Sequence, residues 1–289
     1  MKTFLNKIFY FKKDGNKKKE RLYTALCKAA YTEGKKASKL FNKYVKYYGE
    51  NDIIKDFHLC HKLYLSGAKN EEVEKSAFIY QQLIRNIESK NFETYLKNSK
   101  NIAIVGNSGR ELGKKQGAFI DSHDIVIRFN NYPSNYKEDY GTKCNVWFRG
   151  YGAENEILDR NLEEFDHVVF GWNLLNKNVP KHIITWLYDN LKKCPNKISF
   201  ISSREYLSQY NLKVPTNGFI VLTYIYQFID RSNIDIFGFS FLDEEGKEDN
   251  AHYYDNLCNI VNHSITDERK ILRDIFIRKG KENETSNNS

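Results

Sequence analysis

An α/β domain with a mostly parallel sheet, preceded by a helical region, is the fold class this sequence predicts. Three observations carry that expectation. In the first third of the chain, apolar residues recur at intervals of three and four, and no proline occurs before Pro133. From Lys100 onward, short apolar runs alternate with helical patterns, the signature of βα repetition. Forty percent of the 289 residues are apolar, enough for a sizeable core. They never form the run of about 18 that a membrane span needs. Gly and Pro number only 16 and 4, which excludes collagen-like and low-complexity chains.

Residues 1–98 read as a basic helical N-terminal region. Residues 1–20 are lysine-rich, with Phe4, Leu5, Ile8, Phe9 and Phe11 between the charges. Such a segment forms either a short interfacial helix or a solvated basic tail. Lys7 and Lys12 interrupt its apolar run and no small-residue cleavage site follows, so a secretory leader is not expected. Helical spacing then appears in Leu22/Leu26/Ala29, in Leu40/Val45/Tyr48, in Leu59/Leu63, and across the stretch from Glu71 to Tyr95. Residues 99–278 form the α/β domain. The strands expected there are Ile102–Val105, Ile125–Arg128, Val146–Phe148, His167–Phe170, Ile198–Ile201 and Ile234–Phe237, with an aromatic-rich helix from Pro215 to Ile229. Residues 279–289 are polar and read as a disordered tail.

Charge is unevenly spread. The first hundred residues carry 22 Lys/Arg against 11 Asp/Glu, and the remainder carry 23 against 26. A nucleic-acid groove running through the whole protein is therefore not expected. A basic end that touches an anionic surface, such as a membrane face, is. The five cysteines are widely spaced and form no C-x-x-C pair, which suits reduced thiols rather than a zinc ribbon.

Chemistry should gather at the carboxyl ends of the strands, where open α/β sheets bind ligands. Ile102–Val105 runs directly into Gly106-Asn107-Ser108-Gly109, small residues that let a backbone approach a phosphate or sugar. This is neither a dinucleotide fingerprint nor a Gly-Lys-Ser/Thr phosphate loop. A second strand ends in Arg128-Phe129-Asn130. Pro215-Thr216-Asn217-Gly218 is a turn that feeds a helix, and another strand ends in Phe237-Gly238-Phe239. His252, Tyr253 and Tyr254 follow, then His263 with Glu268 five residues on.

In that order these segments resemble the animal-type sialyltransferases of glycosyltransferase family 29. The large motif is similar to IAIVGNSGREL…GAFIDSHDIVIRFNNYP…DYGTKCNVWF, the small motif to VPTNGFIVLTYIYQFIDRSNIDIFGF, the third to HYYDN and the very small one to HSITDE. Four ordered motifs span Ile102 to Glu268, and the first hundred residues lie outside the resemblance.

The resemblance implies a Rossmann-like transferase fold, a variant of the GT-A type. It also implies inverting transfer of a sialic acid or related nonulosonic acid from a CMP-sugar to a glycan hydroxyl. His263 matches the family's general base, a role that an imidazole with an ordinary pKa near 6.5 suits. His252 matches the residue that holds the leaving phosphate, and Tyr253 adds a hydroxyl. Asn107 and Asn130 match donor-contacting asparagines, and Ser108 and Gly109 line the same loop. Thr216, Asn217 and Gly218 match the turn that holds the nucleotide or the donor carboxylate, while Glu268 supports the helix or the base. The chain has no D-x-D triplet, and the donor carries one phosphate, so no metal and no cofactor are expected.

Two departures stand out. Family members carry a disulfide whose positions fall here on Ile102 and Arg231, so that bridge cannot form. Asn217 stands where the family often has a hydroxyl residue, which leaves the identity of the donated acid open. Together with the cysteine pattern, this gives an expectation of a bacterial-like, cytoplasmic enzyme, peripheral at the inner membrane, that builds lipooligosaccharide or capsule on a glycan acceptor, lipid-linked in one version. Two alternatives remain: a CMP-Kdo-dependent transferase, and a non-catalytic nucleotide-binding or membrane-associated module.

Other polar residues have plainer readings. His58, His61, His123, His167 and His182 are expected to be structural or on the surface. Asp121 and Asp124 are expected to form turns rather than an acid–base pair. Arg128 suits either phosphate or a buried structural pairing, and Asp243, Glu244 and Glu245 read as a solvated acidic loop.

Overall fold

The computed structural model describes residues 17–32, 34–149, 160–171, 179, 181–201, 209–212, 215–243 and 265–278. The helices begin with α1 (Lys17–Thr32), α2 (Gly34–Tyr48), α3 (Asn51–Ile54), α4 (Phe57–Leu65), α5 (Glu71–Ser89) and α6 (Asn91–Lys97). The strands β1 (Ile102–Val105), β2 (Ile125–Phe129), β3 (Val146–Arg149) and β4 (His167–Phe170) follow, with short helices α7 (Gly117–Asp121) and α8 (Lys137–Tyr140) between them. Then come α9 (Lys181–Lys193), β5 (Ile198–Phe200), α10 (Asn217–Ile225), β6 (Ile234–Phe237) and α11 (Ile265–Arg273). The chain divides into two compact units, one of Met1–Glu88 with Leu174–Pro195 and one of Ser89–Asn173 with Asn196–Ser289.

The first unit is helical. Ala37, Phe41 and Tyr44 lie on one face of α2 at helical spacing and pack with Leu26 of α1 and Leu59 and Leu63 of α4, all nearly fully buried. Asp56 caps α4 by accepting from Leu59 N at 3.0 Å, and Asn70 does the same for Val73 N at the start of α5. Within this unit α9 contributes Tyr188, edge-on to Phe78 of α5. The helical pattern from Glu71 to Tyr95 is not continuous. Lys90 takes a left-handed backbone (φ 51°), which ends α5 and starts α6.

The second unit holds a six-stranded sheet in the order β5-β4-β3-β2-β1-β6. Every neighbouring pair is parallel, with Ile102 opposite both Ile125 and Ile234. The continuous burial of β1, β2, β3 and β4 follows, because helices cover both faces of a parallel sheet. Side chains alternate between those faces. Ile102 and Ile104 pack with Phe219 and Leu222 of α10 and Leu272 of α11. Ala103 and Val105 pack with Ile120 and Tyr140 on the other side. The expected helix over Pro215–Ile229 is shorter. Thr216 accepts from Phe219 N at 3.1 Å and caps α10, so the helix begins at Asn217, and it gives way to a turn after Ile225.

Several plain readings correspond to the structure. Asp121 accepts from the amides of Thr142 and Lys143, and Asp124 from that of Lys100. Arg128 is fully buried and donates to the carbonyls of Lys143 and Tyr140, so its role is a structural pairing. His123 bridges Asp235 at 2.8 Å, and His58 and His61 both stack on Tyr80. His167 lies against Phe92 and Tyr95, and burial pushes its pKa down to about 4. Among the described residues, no helix is long and apolar enough to cross a membrane. The tail at 279–289 lies outside the described residues.

Candidate active site

The sheet order reverses at β1, whose neighbours are β2 on one side and β6 on the other. Chain segments leaving these strands must diverge there, which opens a crevice at their carboxyl ends. Two glycines make the crevice narrow at its base. A Cβ on Gly106 would stand 2.4 Å from Gly238 O, and one on Gly238 (φ 65°) would stand 2.5 Å from Gly106 O. Gly106 N and Ser108 N donate to Phe237 O and Gly238 O at 2.8 and 2.9 Å, which locks the two strand ends together.

Glu111, almost fully buried, holds this junction from behind. Its carboxylate accepts from Gly238 N at 3.2 Å and from Arg110 Nη1 at 2.8 Å, and Arg110 Nε reaches Asp243 at 3.1 Å. Asp243 is thereby paired rather than simply solvated. Glu244 and Glu245 lie outside the described residues.

Above the junction lies a cleft of about 260 Å³. Gly106, Asn107 and Ser108 line it from β1, and Phe129 and Asn130 from β2. Thr216, Asn217, Gly218 and Phe219 line it from the start of α10. Gly238, Phe239, Ser240 and Phe241 come from β6 and the turn after it, and Ile265, Glu268, Arg269 and Leu272 from α11. Three of the expected turns and the expected carboxylate thus meet around one space. Gly109 starts the short turn behind the cleft and is not among its lining residues. His252, Tyr253 and His263 lie outside the described residues.

The polar groups of the cleft are held by one another. Asn107 Nδ2 donates to Phe129 O at 3.2 Å and ties the first turn to the second. Asn130 has a left-handed backbone (φ 51°), a conformation asparagine tolerates better than branched residues do. Its carbonyl accepts from Trp147 Nε1 at 2.8 Å, and its side-chain oxygen accepts from Asn217 Nδ2 at 3.4 Å. Ser108 Oγ is buried and has no hydrogen-bond partner among the described residues.

Glu268 is the pivot of the other wall. Only 3 % exposed, it accepts from Thr216 N at 2.8 Å through one oxygen and from Thr216 Oγ1 at 2.6 Å through the other. Thr216 Oγ1 meanwhile accepts from Phe219 N. A single hydroxyl therefore joins the carboxylate of α11 to the first turn of α10.

Sequence reasoning named Phe239 only as part of a strand end, with no role of its own, and did not pick out Arg269. Phe239 stands edge-on to Phe129 at 5.9 Å and crowds Gly218, where a Cβ would meet its ring at 2.5 Å unless the ring moved. Arg269 donates to Ser240 Oγ at 3.4 Å and is the one cationic side chain lining the cleft among the described residues. Its adjacency to Glu268 was the available signal, because a half-buried arginine beside a motif carboxylate is a natural anion contact. The arrangement offers amide and hydroxyl groups, ring surface and one positive charge. Those suit a ligand with a polar ring system and an anionic group.

A family model described as "Glycosyltransferase family 29 (sialyltransferase)" matches residues 47–170 and 176–280. The chain is 26% identical over 214 residues to the mouse (Mus musculus) "Type 2 lactosamine alpha-2,3-sialyltransferase", covering 62% of this chain and 63% of that protein. It is 45% identical over 47 residues to the Arabidopsis thaliana "Beta-1,6-galactosyltransferase GALT29A", covering 16% of this chain and 12% of that protein. The chain spans less than two thirds of the length of these curated relatives. A solved structure described as "Crystal Structure of a Mammalian Sialyltransferase" is similar at 21% identity and a TM-score of 0.46, over 68% of this chain and 76% of that one.

Proposed function

We propose a reaction for this chain from the fact that it belongs to glycosyltransferase family 29, the sialyltransferases. The reaction is inverting transfer of a sialic acid, or a related nonulosonic acid, from a CMP-sugar to a glycan hydroxyl. The observation that carries the reading is the convergence of Asn107, Asn130 and the Thr216–Gly218 turn on one cleft at the switch point of the sheet.

In this reading the nucleotide lies over the strand ends, with the amide side chains of Asn107 and Asn130 toward it. The donor's anionic groups face the start of α10 and Arg269. As the bond between the anomeric carbon and the phosphate oxygen breaks, negative charge grows on the departing phosphate. Hydrogen-bond donors that stabilise this charge lower the barrier, and the reading assigns His252 and Tyr253 to that role. The acceptor oxygen bonds to the anomeric carbon from the opposite face and gives its proton to His263, two residues ahead of the cleft-lining Ile265. Glu268 keeps the α10 turn in place rather than moving a proton. The leaving group carries a single phosphate, so the reading needs neither a metal nor a cofactor.

A reducing, cytoplasm-like compartment and an acceptor belonging to lipooligosaccharide or capsule are part of the same proposal. The compartment is supported by Cys27, Cys60, Cys144 and Cys194, none of which is in a disulfide among the described residues, and by Ile102 and Arg231 in place of the family's bridge. A second reading concerns the donor alone. One relative is named a galactosyltransferase, and Asn217 departs from the family turn, so a different sugar is the alternative.

The test is a transfer assay in EDTA with CMP-sialic acid, CMP-Kdo and UDP-galactose against galactose-terminated glycans, read by nucleotide release and product mass. Product from CMP-sialic acid, lost in His263→Ala, supports the main reading. Product from another donor only moves the assignment to that donor, and turnover that survives in His263→Ala removes the base.

A further inference from the structure

The first unit carries a surface that the transferase reading leaves unused. The family match begins at residue 47, after most of α2. On α2 the exposed residues include Lys35, Lys36, Lys39, Lys43 and Lys46. At 3.6 residues per turn these five fall within an arc of about 100°. Ala37, Phe41 and Tyr44 fill the opposite side and face the core. The neighbouring α1 repeats the arrangement with exposed Lys17, Lys18, Arg21 and Lys28 opposite its buried Leu26 and Ala30. Among the described residues of the two helices, the one acid is Glu20, and it is only half-exposed.

Nine exposed cations over two packed helices repel one another, an arrangement that helical propensity and core packing do not require. An anionic partner relieves that repulsion. Two further features select among anionic partners. All five cations of α2 are lysines, point charges on flexible stems without the planar fork that reads a fixed phosphate geometry. An exposed tyrosine borders each basic face, Tyr31 on α1 and Tyr47 on α2, the latter 63 % exposed. Tyrosine has an apolar body and a polar tip and settles at headgroup level in membranes. The sequence just ahead of α1 also supplies Phe4, Leu5, Ile8, Phe9 and Phe11 among lysines, the apolar second signal that stable peripheral binding needs.

We propose that the lysine face of α2, continued by that of α1, docks the protein on an anionic phospholipid bilayer. This is independent of the sugar donated and of the base. Each lysine held near an anionic leaflet contributes a roughly fivefold step in binding. The interaction weakens as salt shortens the Debye length to about 3 Å near 1 M.

The experiment is co-sedimentation of the full chain with vesicles of phosphatidylcholine containing about one third phosphatidylglycerol, and with vesicles of phosphatidylcholine alone. Two variants of equal net charge run beside the wild type. One carries Lys35→Gln, Lys39→Gln, Lys43→Gln and Lys46→Gln. The other carries Lys69→Gln, Lys90→Gln, Lys137→Gln and Lys193→Gln, all exposed and all outside the two basic faces. Glutamine keeps helix propensity, and circular dichroism checks that both variants fold.

The wild type and the second variant are expected to bind anionic vesicles alike, and the first variant roughly 600-fold more weakly, with little binding to neutral vesicles. Equal loss in both variants would reduce the effect to net charge and overturn the proposal. Equal binding to neutral vesicles would overturn it too. Tighter binding of a 30-nucleotide RNA through the same four lysines would assign the face to nucleic acid instead.

Discussion

Replacing Thr216 by Val and Glu268 by Gln, singly and together, reads the contact on which the cleft's second wall depends. The hydroxyl-to-carboxylate bond is 2.6 Å long and its acceptor is 3 % exposed, so it is a buried, charge-assisted bond. Such bonds contribute about 1.5–3 kcal/mol. Thr216→Val keeps the branched shape but loses this bond and the cap on Phe219 N, itself about 1 kcal/mol. A loss of about 3 kcal/mol is expected. Glu268→Gln keeps an oxygen for Thr216 N but presents an amide nitrogen to the hydroxyl, for a loss of about 2 kcal/mol. The double variant should lose about 3 kcal/mol, because the shared bond is removed only once, leaving a coupling of about 2 kcal/mol. Urea unfolding followed by Trp147 fluorescence, in a Trp172→Phe/Trp186→Phe background, reports on the sheet unit alone. Losses that add within about 0.4 kcal/mol would mean that the two residues do not meet.

Three other consequences can be measured. Gly106→Ala should destabilise by about 3 kcal/mol and more than Gly218→Ala, because the new methyl meets the backbone oxygen of Gly238 at 2.4 Å rather than the ring of Phe239, which can turn; equal thermal shifts would contradict this. His167 is held neutral by burial, with its pKa lowered to about 4, so the unfolded chain takes up a proton that the folded one refuses below about pH 6.5. Stability should fall by about 2 kcal/mol between pH 7 and pH 5, and His167→Phe should remove most of that slope in urea titrations. Arg269→Ala should raise the donor KM about tenfold with a smaller change in kcat, and an unchanged KM would place the donor's charge elsewhere.

The sheet was legible almost to the residue, because buried parallel strands leave short apolar runs that end at small or polar residues. Ile102–Val105, His167–Phe170 and Ile234–Phe237 have the expected bounds, and β2 and β3 each extend one residue further. Helix ends were less legible. The break at Lys90 rests on a left-handed lysine that no local signal marks, and α10 stops four residues before Ile229. The candidate site divides the same way. The turns at Asn107, Asn130 and Thr216 are local features of strand ends and helix caps, so they could be named from sequence. The Glu268–Thr216 bond spans 52 positions and the Gly106–Gly238 approach spans the sheet junction, so both depend on strand order. Phe239 was given no role of its own because an aromatic after a strand usually fills a core, whereas here it also lines the cleft.

The central claim is that a cytidine nucleotide binds over the ends of β1, β2 and β6. Amide hydrogen exchange of the full chain with and without saturating CMP tests it most directly and leaves the sequence unaltered. The account predicts slowed exchange in segments 104–110, 127–131, 215–220 and 237–242, with no change in α1 and α2. Protection confined to the first unit, or saturable binding that leaves those four segments unchanged, would contradict it.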